Sequence, residues 1–168
     1  MERSKKVMFV SHSLLNQNVM PVGTEKYAGM VKDLVEMLAE AGIGIIQLPD
    51  PEFEFNGGII SKAKTKEQLD KKDFRKYCRD LSKQVLIQIE KYKAKNYFVL
   101  GILGVEFSPT LAVHQLANGH KVAPGKGILI EELEEEMRKK NFQVPILGFN
   151  LNNVFSSLEK VQSLLKYA

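Results

Sequence analysis

The sequence predicts an open three-layer α/β fold with a mainly parallel sheet of about four core strands. Three observations carry this. Four apolar runs, Val7–Val10, Ile43–Leu48, Tyr97–Leu103 and Pro145–Phe149, are nearly continuous rather than alternating, as parallel strands covered on both faces are. Apolar residues between and after them recur at three and four positions, the spacing of an amphipathic helix. The long irregular stretches, 11–24, 49–66 and 104–127, each begin where a strand ends.

Taken in order, the run Val7–Val10 is too short for a signal-peptide core and reads as a first strand. Met30, Val31, Leu34, Val35, Leu38 and Ala41 form a helical stripe that Gly42 stops. Phe74, Tyr77, Cys78, Leu81, Val85, Ile89 and Tyr92 form a longer one. Leu129, Ile130, Leu133 and Met137 predict a third helix, and Val154, Phe155, Leu158, Val161 and Leu165 a fourth. Strand alternating with helix implies right-handed crossovers. The expected strand order is 2-1-3-4, in a Rossmann-like or flavodoxin-like sheet. With no linker, repeat or low-complexity tract, residues 1–168 are expected to form one domain.

Composition excludes several classes. No run of about 18 apolar residues occurs, so no membrane partner is expected; the expected location is cytoplasmic. One cysteine, Cys78, excludes an intramolecular disulfide. Its place in a helical stripe reads as a buried core thiol. The net charge of +4 is uneven: residues 62–95 hold twelve Lys/Arg against five Asp/Glu, and 131–136 is acidic. The basic residues interleave with the apolar stripe, which favours a solvated face over a nucleic-acid surface. A homo-oligomer is left open.

Chemistry-bearing residues concentrate in the three loops. The first offers His12, Ser13, Asn16, Gln17 and Asn18; the second Asp50, Glu52, Glu54 and Asn56; the third Glu106, Ser108, Thr110 and His114. In open α/β sheets, ligands bind outside the carboxyl ends of the strands, so these loops outline a pocket for a small molecule. Asp50 and Glu52 are the candidate catalytic pair, because carboxylates in different environments divide acid and base roles. His12, Ser13, Asn16, Asn18, Glu106, Ser108, Thr110 and His114 are the candidate ligand-binding residues. Simpler roles compete: Asp50 between two prolines as a turn residue, and Ser108-Pro109-Thr110 as the cap of a helical turn from Leu111 to Leu116. A donor set of His12, Asp50, Glu106 and His114 would suit zinc or manganese, but its spacing matches no standard motif, and neither metal nor cofactor is expected. Gly125-Lys126-Gly127 opens the third helix and could receive an anion there; a loop that closes over the site, or simply a helix start, is an equal reading.

At these same residues the chain resembles the thiouracil desulfidase-related family, in its short single-domain branch. The resemblance lies in Val10-Ser11-His12-Ser13-Leu14-Leu15-Asn16-Gln17-Asn18, Gly44–Glu52, Leu100–Glu106, Ser108–Val113 and Pro124–Leu133. It implies the fold, a pocket at the strand ends, and a [4Fe–4S] cluster held by three cysteines with one iron open to substrate sulfur. The matching positions here are Ser13, Asp50 and Leu111. Cys78 matches none of them. The resemblance therefore leads to a cluster-less relative that binds a small polar, nucleobase-like molecule. The alternatives are a cluster-independent or metal-dependent hydrolase or lyase using Asp50 and Glu52, and a non-catalytic interaction protein whose 62–95 segment binds nucleic acid weakly.

Overall fold

A computed structural model describes residues 1–168. The first strand, β1 (Lys6–Ser11), runs into a short helix, α1 (His12–Leu15), and a 3-10 turn (Gln17–Val19). Helix α2 (Lys32–Glu40) leads to β2 (Gly44–Leu48), which is followed by α3 (Pro51–Asn56), α4 (Lys66–Leu69) and the long α5 (Lys72–Lys93). Then come β3 (Phe98–Val105), a hairpin of β4 (Gln115–Asn118) and β5 (Lys121–Pro124), α6 (Ile128–Lys140), β6 (Ile146–Phe149) and α7 (Val154–Leu165).

The main sheet has four parallel strands in the order β2-β1-β3-β6, the arrangement expected from sequence. Val7 to Val10 are buried, and in β3 every residue after Phe98 is buried. That is why these runs do not alternate. Helices α5 and α6 pack together on one face and α2 and α7 on the other. One apolar cluster of 31 buried residues joins the layers. No helix is long and apolar enough to cross a membrane.

Two helical stripes differ from expectation: the first at Met30 and at Ala41, which is exposed just past the end of α2, the last at Phe155. Met30 is exposed because α2 begins only at Lys32. Phe155, in the first turn of α7, points to solvent. A larger difference lies in the third loop. Leu111 to Leu116 is not a helical turn: a short turn ends at Leu111, and Gln115 already pairs with Pro124 in the hairpin. Gly119, with φ +65°, supplies the left-handed position at its tip.

Of the readings open for Gly125-Lys126-Gly127, the structure shows a helix start rather than an anion site. The first N–H groups of α6 are already satisfied: Ile128 donates to the Pro109 carbonyl at 3.0 Å and Leu129 to the Thr110 carbonyl at 2.9 Å. Lys126 is paired with Glu134 at 2.6 Å. This docking needs glycine at 127, where a Cβ would lie 2.1 Å from the Thr110 carbonyl carbon. Gly127→Ala should therefore lower the unfolding free energy by about 3 kcal/mol in urea titration. Gly29→Ala, where a Cβ meets nothing within 4 Å, should stay within about 0.5 kcal/mol of the parent protein.

Candidate functional site

The register of the sheet brings the first two loops together. Ser11 stands opposite Leu48 across the β1–β2 pairing, so His12 and Asp50 leave the sheet at nearly the same level. Asp50 caps α3: its Oδ1 accepts the Phe53 N–H at 2.9 Å, and Pro51 occupies the first helical turn. Both are standard helix-start chemistry. Gly57, at φ +74°, ends the helix. The cap puts Glu52 inward, 3 % exposed, with Asp50 at 8 %. The His12 ring meets the Phe53 ring edge-on, with centroids 5.7 Å apart. A hydrogen bond from the Val22 N–H to the Ile60 carbonyl, 3.0 Å, ties the first loop to the second.

The electrostatics of this group are unusual. Burial pushes the Asp50 carboxyl above its ordinary value, against the Phe53 N–H and the nearby His12 ring. Burial also pushes Glu52 up, to about 7; the charge of Asp50 adds to the effect, and the exposed Lys64 opposes it. Glu52 Oε1 and His12 Nδ1 are buried without any hydrogen-bond partner. Leaving such a group unpaired costs about 1–3 kcal/mol. A carboxyl titrating near 7 can give or take a proton at neutral pH.

The other expected site residues occupy a different kind of setting. Glu106 follows β3 and clamps its own loop: its Oε1 accepts the N–H groups of Val113 and His114 at 2.8 and 2.9 Å, and its Oε2 lies 2.9 Å from His114 Nδ1. Burial pushes Glu106 up, but these donors outweigh it and hold the carboxyl below its usual value. Gly148 leaves room for that carboxylate, since a Cβ there would lie 2.5 Å from its carbon. Phe107 sits at φ +72°, a rare conformation for a bulky residue. Its N–H to the Gln115 carbonyl, 2.8 Å, helps hold it there. Ser108 Oγ accepts the Leu111 N–H at 3.1 Å and lies 3.2 Å from Thr110 Oγ1.

In the first loop, Asn16 Oδ1 accepts the backbone N–H of Asn18 at 3.1 Å and its side-chain amide at 2.9 Å. Ser13 is buried. No three His, Cys, Asp or Glu side chains come together in ligating geometry, so His12, Asp50, Glu106 and His114 do not assemble as one donor set. Three contributors stand outside the candidate catalytic and ligand-binding residues. Gln17, 2 % exposed, staples the first loop by donating to the Ser13 carbonyl and accepting from the Lys26 N–H. Phe53 supplies a ring beside His12, and Lys64 a charge near Glu52. Two open grooves, of about 590 and 680 Å³, lie elsewhere, between α2 and α7 and beside α6 and β6.

No family model matches the chain. The uncharacterized protein MJ0003 of Methanocaldococcus jannaschii is 33% identical to it over 165 residues, which cover 95% of this chain and 98% of that protein. The chain belongs to the MJ0003 family. Among solved structures, the [4Fe-4S]-dependent thiouracil desulfidase TudS matches with a TM-score of 0.52 at 18% identity, over 95% of this chain and 99% of that one. At that identity the likeness is one of fold.

The side chains of this MJ0003-family member do not fit a thiolate-held iron–sulfur cluster, which takes several cysteines. Its one cysteine, Cys78, is fully buried on α5. Burial raises that thiol to about 12, so it stays protonated. Leu111 is 1 % exposed within the apolar cluster and has no ligating atom in its side chain.

The pH dependence of stability should reveal Glu52. Its folded-state value lies above its ordinary one, so the folded protein holds the proton more tightly than the unfolded chain. This contribution to stability is complete below about pH 4.5 and is lost as pH rises through about 7. Urea titration should show a loss of about 2 kcal/mol between roughly pH 5 and 8, allowing for solvent screening. In Glu52→Gln that slope should flatten.

Proposed function

We propose that this protein is a cluster-less fold relative of the thiouracil desulfidase that binds a small polar, nucleobase-like molecule where the loops after β1 and β2 meet. The observation that carries this reading is the pair of buried, unpartnered atoms, Glu52 Oε1 and His12 Nδ1, beside the buried Asp50. A folded chain rarely leaves such atoms unsatisfied without a role for them. Ser13, adjacent in the first loop, lines the same end of the sheet. Asn16, Asn18, Glu106, Ser108, Thr110 and His114 act mainly by holding the loops around it, through the hydrogen bonds described above.

In this reading the cluster chemistry of the fold relative is absent. The support is chemical: Ser13, Asp50 and Leu111 stand at the positions that the family resemblance assigns to the cluster cysteines, and Cys78 is buried on α5. A second reading, cluster-independent hydrolysis or lyase chemistry, has its own support in Glu52. A carboxyl near 7 beside a second buried carboxyl is suited to proton transfer. A nucleic-acid surface on residues 62–95 has less support. Arg75 pairs with Asp70 and Glu131, Lys66 with Glu131, and Arg79 with Glu132, so part of that basic charge is met by the acidic start of α6.

Saturation-transfer NMR with a panel of free nucleobases and nucleosides tests the reading. At least one member should bind to the parent protein, and that signal should disappear in Glu52→Ala. The binding should change little between low and high salt, whereas a phosphate-backbone contact weakens steeply. A panel without any binder, or with binding indifferent to Glu52, contradicts the proposal. Anaerobic incubation with iron and sulfide should leave the visible spectrum featureless; a [4Fe–4S] absorption band contradicts the cluster-less reading.

A further inference from the structure

The main sheet ends at β6, and one side of that strand has no partner: β3 is the only strand paired with it. The carbonyls of Pro145 and Phe149 accept the Ile102 and Glu106 N–H groups, at 2.8 and 2.9 Å. Backbone groups alternate between the two sides of a strand. Residues 145, 147 and 149 therefore face β3, and the N–H and C=O groups of Ile146 and Gly148 face away from the sheet. No hydrogen bond outside the regular elements uses them. Such an open row is a template for another strand, and proteins blunt it with charge, proline or a bulge. β6 has none of these: Ile146-Leu147-Gly148-Phe149 is uncharged and pairs with β3 without a register shift. The N–H that Pro145 lacks would lie on the β3 side. Ile146 and Leu147 are only half-buried, and a groove of about 680 Å³ opens beside Ile146 along α6.

We propose that β6 is an interface between two copies of this chain, paired antiparallel through their β6 strands about a two-fold axis at Leu147. The unpaired row is self-complementary in that register. Ile146 of one copy faces Gly148 of the second copy, each N–H meeting the other's carbonyl, and the symmetry repeats the pair. Every outward group of both strands is then bonded. The two sheets become one continuous sheet, and the half-buried Ile146 and Leu147 lose their remaining contact with water. The charges of α6 agree with the same axis. As the crossover between parallel strands, this helix runs antiparallel to β6, with Glu131 and Glu134 in its first half and Arg138 near its end, all beside the groove. Antiparallel pairing of two β6 strands sets the acidic half of one α6 towards the basic end of the other. Such surface charges contribute little affinity, but they favour this orientation.

Sedimentation equilibrium and amide hydrogen exchange of the full chain test this, from about 1 μM to about 1 mM, the range in which a small interface associates. A monomer–dimer equilibrium should appear within it. The Ile146 and Gly148 N–H groups should exchange at least about tenfold more slowly at the top of the range than at the bottom. Those of Leu147 and Phe149, which face β3, should be protected equally at both. Ile146→Lys, which places a charge on the edge, should abolish the dimer while thermal melting shows a folded monomer. Ile46→Lys, on the opposite edge strand β2, should leave the dimer intact. A chain that stays monomeric at about 1 mM overturns the proposal, as does a dimer in which the Ile146 and Gly148 N–H groups gain no protection. A dimer retained in Ile146→Lys and lost in Ile46→Lys also overturns it and assigns the contact to β2. If Ile146→Lys does not fold, the exchange of the two amides in the parent protein decides alone.

Discussion

Parallel pairing of β1 with a strand on each side sets the rest of the molecule. Its register places Ser11 opposite Leu48, and Val10 opposite Leu103, so three chains leave the sheet along one edge. The Ser11 hydroxyl donates to the Leu103 carbonyl at 2.7 Å inside the protein and fixes β1 to β3 at that level. A slip of one residue in β1 would turn the side chains of Phe9 and Val10 to opposite faces and carry His12 away from Asp50. Because both faces of β1 are buried, such a slip has a high cost. The site inherits its geometry from that constraint rather than from its own loops.

The two halves of the edge use their carboxylates in opposite ways. Glu106 is surrounded by donors and serves as a clamp, holding the turn that carries Leu111 into the core. Its ionised form is favoured, so its contribution to stability is lost only as pH falls through its lowered value. Asp50 and Glu52 lie in a part of the edge with few donors, where burial works against ionisation. Leaving Glu52 Oε1 buried and unpaired costs stability. Such arrangements of acidic groups with displaced titration are concentrated at functional positions.

The sheet and its helices could be read from the sequence because their signals are local. Continuous apolar runs mark strands buried on both faces, and stripes at three and four residues mark the helices between them. The hairpin at Gln115–Pro124 escaped because neither strand has a buried face, so no alternation arises; its one local signal was Asn118-Gly119 at the tip. The capping of α6 by Pro109 and Thr110, and the pairing of Arg75 with Glu131, depend on packing between segments distant in sequence. The loops were recognisable as candidate surroundings of a site, and Asp50 as a turn or cap. Which polar residues act as staples and which stay unpartnered, the difference between Glu106 and Glu52, depends on donors brought by the fold.

The central claim is that the loops after β1 and β2 hold acceptors reserved for a ligand. A high-resolution crystal structure of protein purified without added ligand tests it most directly. The account predicts density that is neither protein nor a single water within hydrogen-bonding distance of Glu52 Oε1, beside the His12 ring. Glu52 Oε1 and His12 Nδ1 both bonded to donors of the chain itself, with no space left at the mouth of the two loops, would contradict it.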